Sequence, residues 1–214
     1  MSEAARRLGK QREAASLAAG WTALAIALSL PAPVLLAATD PAASQIEELD
    51  RALLVSMKSG ETVAAAERYR KLTPIVENVF DLRAMTAFAV GSAWAGFSAD
   101  QQQAAVVAFE RLTIASYAKN FRSFGGERFE LDPAVISRGS DKIVQTQLIP
   151  PQKAPVSLLY RMREVAGSWK VIDVYYGAVS QLSIRRSDFA APIASGGAAG
   201  LITHLNSLSD DLLK

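Results

Sequence analysis

The sequence predicts an α+β fold in which a helical layer packs on a twisted antiparallel sheet of about four strands. Three features carry this reading. Apolar residues recur at three- and four-residue steps from Ala43 to Phe124, the pattern changes to short β-rich runs after Gly126, and helical character returns beyond Gly177.

The elements follow in order. In "SQIEELDRALLVSMKSG", Ile46, Leu49, Leu53, Leu54 and Met57 form one apolar stripe, and Gly60 ends the helix. The next segment, "ETVAAAERYRKLTPIVENVF", is helical with Pro74 expected to kink or divide it. Asp81 caps "LRAMTAFAV" before Gly91, and Ser98 caps a long helix expected to run to Gly125 and Gly126. Four strands follow: one around Val135 and Ile136, then "KIVQTQLI", "VSLLYRMREV" and "WKVIDVYY", with "AGS" as a hairpin turn between the last two. "VSQLSIRRSDFAAPI" and "AAGLITHLNSLSDDLL" are closing helices separated by Gly196 and Gly197.

Residues 1–38 have the form of a signal peptide or N-terminal anchor. Arg6, Arg7, Lys10 and Arg12 precede the apolar run "WTALAIALSLPAPVLLAA", after which small and polar residues follow. Pro31 and Pro33 disfavour an uninterrupted membrane helix, so export with cleavage is the expectation, and the periplasm the destination. The leader holds four of the 23 basic and two of the 21 acidic residues, which leaves 19 of each. The remainder has no charge excess to draw it to nucleic acid, where phosphate neutralisation dominates affinity. Cysteine is absent, which excludes disulfides, thiolate metal sites and a cysteine nucleophile.

Candidates for chemistry are few. His204 is the sole histidine and lies among Leu201, Ile202 and Leu205, which fits a helix-surface or semi-buried residue better than a metal ligand. "GGAAG", Gly196 to Gly200, lacks the lysine of a phosphate-binding loop. Asp173 lies inside an apolar strand, and either it or Asp81 is a candidate general base on a small apolar substrate. The structural alternative pairs Asp173 with Arg161 or Arg163 on the neighbouring strand. Strict alternation sets Trp169, Val171, Asp173 and Tyr175 on one face, and Lys170, Ile172, Val174 and Tyr176 on the other.

A family resemblance extends this reading. "FDLRAMTAFAVGSAWAGFSADQQQAAVVAFERLTIASYAKNF" resembles the MlaC (toluene-tolerance) family of periplasmic lipid carriers at Asp81, Met85, Gly91, Trp94, Gln101, Phe109 and Tyr117. "YRMREVAGSWKVIDVYYGAVSQLSIRRSDFAAPI" resembles it at Tyr160, Trp169, Lys170, Asp173, Gly177, Ser180, Arg185 and Phe189, and the double arginine is most similar to the hopanoid-associated branch, HpnM.

The resemblance implies a single lipid-binding domain over residues 43–210 with an apolar pocket between helices and sheet. It implies a carrier, not an enzyme, that needs no cofactor and shuttles phospholipid or hopanoid between an inner-membrane ABC-type transporter and an outer-membrane complex. On this reading Val144, Leu158, Tyr160, Val171 and Val174 line the interior with Trp94 and Tyr117, while Arg185 and Arg186 meet a lipid headgroup or a partner complex, or form an ion pair with Asp188.

Overall fold

A computed structural model describes residues 39–214, and the expected leader lies outside the described residues. Helix α1 (Pro41–Ser59) begins where the Asp40 carboxylate accepts from the Ala42 amide at 2.9 Å, with Pro41 in the first turn. It buries Ile46, Leu49, Leu53 and Met57 and stops at Gly60, whose φ of 73° is open to glycine without strain. Helix α2 (Ala65–Val79) continues through Pro74 rather than dividing there. The proline sits on the exposed face, where water can take the carbonyl that loses its donor.

Helix α3 (Leu82–Val90) is capped by Asp81 as expected, and a 3-10 turn follows at Gly91–Gly96. Helix α4 (Ala99–Asn120) opens on a capping box in which Ser98 and Gln101 satisfy each other's backbone amides. It ends at Asn120, short of the glycine pair, because Phe121 turns to stack on Tyr117 at 5.6 Å between ring centres.

Among the described residues the sheet has six strands, not about four: β1 (Arg128–Leu131), β2 (Ile136–Arg138), β3 (Asp141–Ile149), β4 (Val156–Val165), β5 (Ser168–Tyr176) and β6 (Val179–Ser180). All pair antiparallel in the order β1-β3-β4-β5-β6, with β2 also on β3. The additional strands are β1 and β6, two short edge pieces. A two-residue turn joins β4 to β5, with φ of 50° at Ala166 and 80° at Gly167, the mirror-image geometry that suits strand twist.

Strand β5 departs from simple alternation. Arg161 pairs with Asp173 but Met162 pairs with Val171, so Ile172 is an unpaired extra residue. The bulge lies where the α2–α3 corner rests on the strand: Phe80 bridges to Val171, and the Asp81 amide donates to the Val171 carbonyl at 2.9 Å. Val171 and Val174 therefore join Met162, Tyr160 and Leu158 on one face, although strict alternation separates them.

Helix α5 (Gln181–Leu213) contains the expected break. Gly197 has φ 58° and ψ −142°, so two helical pieces meet at a kink. Its first piece buries Leu182 and Phe189, the latter edge-on to Phe109 of α4 at 6.1 Å, and its second buries Leu201 and Leu205.

Candidate ligand cavity

Tyr160 is the largest fully buried side chain among the described residues, and it stands at the middle of the sheet face that looks toward the helices. Val144 of β3 and Val174 of β5 flank it in the same row. Between this face and α3, α4 and the start of α5 lies a cavity of about 510 Å³. The sheet supplies Leu148, Val156, Leu158, Tyr160, Val174 and Tyr176, and the α2–α3 corner supplies Phe80 and Met85. Along α4, Phe109, Leu112, Thr113, Ser116, Tyr117 and Asn120 recur at helical spacing and turn one stripe inward, and Phe121 adds to it just past the helix end.

This lining is apolar with a polar margin. Phe80 meets the Tyr117 ring edge-on at 5.7 Å, Tyr117 stacks on Phe121, and Phe121 lies 6.2 Å from Phe129. Thr113 and Ser116 return their hydroxyl protons to the helix, to the Phe109 carbonyl at 2.8 Å and the Leu112 carbonyl at 2.7 Å. Such hydroxyls present little unsatisfied polarity to a ligand. Among the described residues, Arg185 is the one charged side chain lining the cavity, beside Gln181 and Leu182 of the same helical turn. Its Nη1 lies 3.7 Å from the Asp188 Oδ2, an i,i+3 ion pair longer than a hydrogen bond, so the expected pairing with Asp188 is present at the cavity margin.

Of the residues expected to face a pocket, Tyr117, Leu158, Tyr160, Val174 and Arg185 line it. Trp94, Val144 and Val171 do not. Trp94 belongs to the 3-10 turn and packs near Phe97 under the Arg83 guanidinium, beyond the end of α3. Val144 and Val171 are fully buried on the same sheet face, but Val144 is covered in the core and Val171 lies under Phe80. Arg186, the second arginine of its pair, lies 5.5 Å over the Phe88 ring and against the Gly91 backbone instead of reaching the cavity.

The carboxylates considered for catalysis have structural duties. Asp173 accepts from the Val174 amide at 2.8 Å, from the Ser180 hydroxyl at 2.7 Å and from the Leu182 amide at 3.3 Å, and so secures the start of α5. Arg161 and Arg163 do not pair with it as expected, because Asp141 takes both, each Nε at 2.7 Å. These guanidiniums donate to the Asp141 carboxyl and hold it below the usual carboxylate range. Asp81 caps α3. Neither Asp173 nor Asp81 lines the cavity.

Sequence reasoning missed Asp50. On α1 it reads as an ordinary polar position, yet it is 6% exposed and its Oδ2 accepts from the Thr146 hydroxyl of β3 at 2.8 Å. Burial pushes its carboxyl up to about 7, although the Thr146 hydrogen bond opposes the shift. The signal available in sequence was Thr146, a hydroxyl at an inward position of an alternating strand.

An open antiparallel sheet covered by helices, with an apolar hollow between them and a cation at its margin, defines a binding protein for an apolar or amphipathic ligand. The MlaC protein family model matches residues 47–207, and the chain belongs to that family. Among solved structures, the phospholipid-binding protein from Ralstonia solanacearum, in complex with a phospholipid, is similar in fold. It is 20% identical with a TM-score of 0.71, over 82% of this chain and 100% of that one. No curated protein matches.

Proposed function

We propose that the protein is a periplasmic carrier that holds the apolar body of a lipid in this cavity and moves it between the inner and outer membranes. The observation that carries the reading is the hollow itself: about 510 Å³ walled by aromatic and aliphatic side chains in a chain of this family. Leaving a methylene in water costs about 0.8 kcal/mol, so exposing a chain of roughly 16 carbons costs on the order of 13 kcal/mol. A cavity that shields those carbons lowers that barrier without covalent chemistry.

The favoured cargo is a phospholipid. Arg185 sets a guanidinium at the cavity margin, where a phosphate competes with the long contact to Asp188, and the phospholipid complex of the Ralstonia solanacearum protein supports the same class. A hopanoid cargo rests on the resemblance of "IRRSDF" alone, and Arg186 already has a structural place. In this reading residues 1–38 are the signal peptide or anchor and 43–210 the single lipid-binding domain. Tyr117, Leu158, Tyr160 and Val174 contact acyl chains, Arg185 contacts the headgroup, and an inner-membrane ABC-type transporter and an outer-membrane complex are the partners. No catalytic step is assigned.

The test is transfer of a fluorescent phospholipid from donor to acceptor vesicles. The expected result is acceleration in proportion to protein concentration, weakened by Arg185→Ala. Transfer no faster than without protein overturns the proposal.

A further inference from the structure

Two hydroxyls in the cavity wall have nothing to bond. They belong to Tyr117 of α4 and Tyr160 of β4, both of which line the hollow. Among the described residues, the polar side-chain atoms that are both sealed and without a hydrogen-bond partner are Gln45 Oε1 and Asp50 Oδ1. The two phenol oxygens are not sealed, yet neither makes a hydrogen bond to another described residue. Tyr160 is 1% exposed, so the opening its hydroxyl keeps is onto the cavity that it lines.

The surroundings offer these hydroxyls no acceptor. Val144 and Val174 flank Tyr160 in its row, and the Tyr117 ring lies between Phe80 and Phe121. Asp50 Oδ2 is taken by the Thr146 hydroxyl, and its Oδ1 has no partner, so neither phenol is turned to that carboxyl. Burial above all pushes both phenols up, and each stays a protonated donor. A donor left unpaired in an apolar hollow is costly, and what enters the hollow is what can satisfy it.

The depth of these donors fits an ester. Arg185 and Tyr176 mark the cavity margin, Tyr176 being 58% exposed. In the register of β4 with β5, Leu158 faces Tyr176 and Tyr160 faces Val174. Tyr160 therefore lies one row further in, roughly 7 Å from the margin at the usual rise of a strand. A glycerophospholipid with its phosphate at Arg185 sets its acyl ester carbonyls a few bonds inward of that phosphate and its chains beyond them. A wholly hydrocarbon body at the same depth leaves both donors bare.

We propose that the Tyr117 and Tyr160 hydroxyls form a hydrogen-bonding subsite for the acyl ester carbonyl of the cargo, and so select ester-linked lipids over ether-linked or wholly hydrocarbon ones. The inference rests on the lipid-carrier reading above and adds a selection to it. The aromatic rings cover methylenes, while the hydroxyls donate to the carbonyl oxygen, whose two lone pairs can serve one phenol or both. Replacing the ester by an ether keeps chain, glycerol and phosphate but removes that carbonyl acceptor. The discrimination comes from the donors that the analogue leaves unpaired.

The experiment is calorimetric titration of the full chain, stripped of lipid, with lysophosphatidylglycerol and with its alkyl ether of equal chain length, each below its micelle concentration. The expected result is ester binding about tenfold tighter than ether binding, the scale of a hydrogen bond whose loss leaves a buried donor bare. Tyr117→Phe and Tyr160→Phe keep the rings and remove the hydroxyls; each is expected to shrink the preference, and the double variant to bind both probes alike. Tyr175→Phe, whose hydroxyl lies off the cavity, is expected to keep the wild-type preference. Equal binding of the two probes by wild type overturns the subsite, as does a preference that survives in the double variant or disappears in Tyr175→Phe. If the double variant fails to fold, the single variants decide. Absence of binding of either probe overturns instead the lipid-carrier reading on which the subsite rests.

Discussion

Val144, Tyr160 and Val174 form one row across the sheet, yet only the last two border the cavity. Enlarging the two valines separates hollow from core. Val174→Phe adds about four carbons directed into open space, and a ligand must give up an equivalent length of chain. At about 0.8 kcal/mol per methylene this is roughly 3 kcal/mol, or about 200-fold weaker lipid binding. The added ring fills space that was open, so unfolding stability should hold or rise. Val144→Phe forces the same ring into a fully buried site and should lose about 1–3 kcal/mol. Urea denaturation and lysophosphatidylglycerol titration of both variants are the assays. A loss of more than about 2 kcal/mol in Val174→Phe with affinity unchanged would refute the reasoning, because it would mean the row is closed core at both ends.

Further outcomes follow from the same geometry. Asp173→Ala removes the acceptor at the start of α5 and should lower stability by about 1–2 kcal/mol in denaturant melts while lipid still extracts with the protein. Ala166→Asn suits the positive φ of its turn and should raise stability by about 0.5–1 kcal/mol, read as a higher urea midpoint. Asp50 titrates near 7 folded against an ordinary 3.8, so its contribution is full below about pH 4 and lost as pH rises through 7. Urea midpoints at pH 5 and 8 should therefore differ for wild type and converge in Asp50→Asn. Asp141 is lowered, so its contribution is present above the ordinary carboxylate value and fades in stronger acid, and Asp141→Asn should flatten the acid limb of the stability curve.

Helices were the more legible half of the fold, because their signals are local. Gly60, Asp81, Ser98 and Gly197 mark boundaries through backbone geometry that their own residue types favour. Pro74 misleads only because its position on the exposed face is a tertiary fact. β1 and β6 are too short for alternation to reveal, since their pairing partners define them. The bulge at Ile172 is set by the α2–α3 corner far earlier in the chain, so no window on β5 shows that Val171 and Val174 share a face.

The site divides along the same line. Burial of Tyr160, Leu158 and Val144 is readable from period two, but which buried residue meets empty space depends on how far the helices stand from the sheet. Trp94 carried a family resemblance and an aromatic ring, yet its helical turn places it outside the hollow. Asp50 was illegible because a carboxylate on a helix is normally solvated, and only the fold brings Thr146 to it.

The most direct measurement is native mass spectrometry, with organic extraction, of the protein purified from its native host. The expected result is one lipid per chain, with a phospholipid recovered in the extract. A mass equal to the bare polypeptide, unchanged after incubation with phospholipid vesicles, would contradict the carrier function.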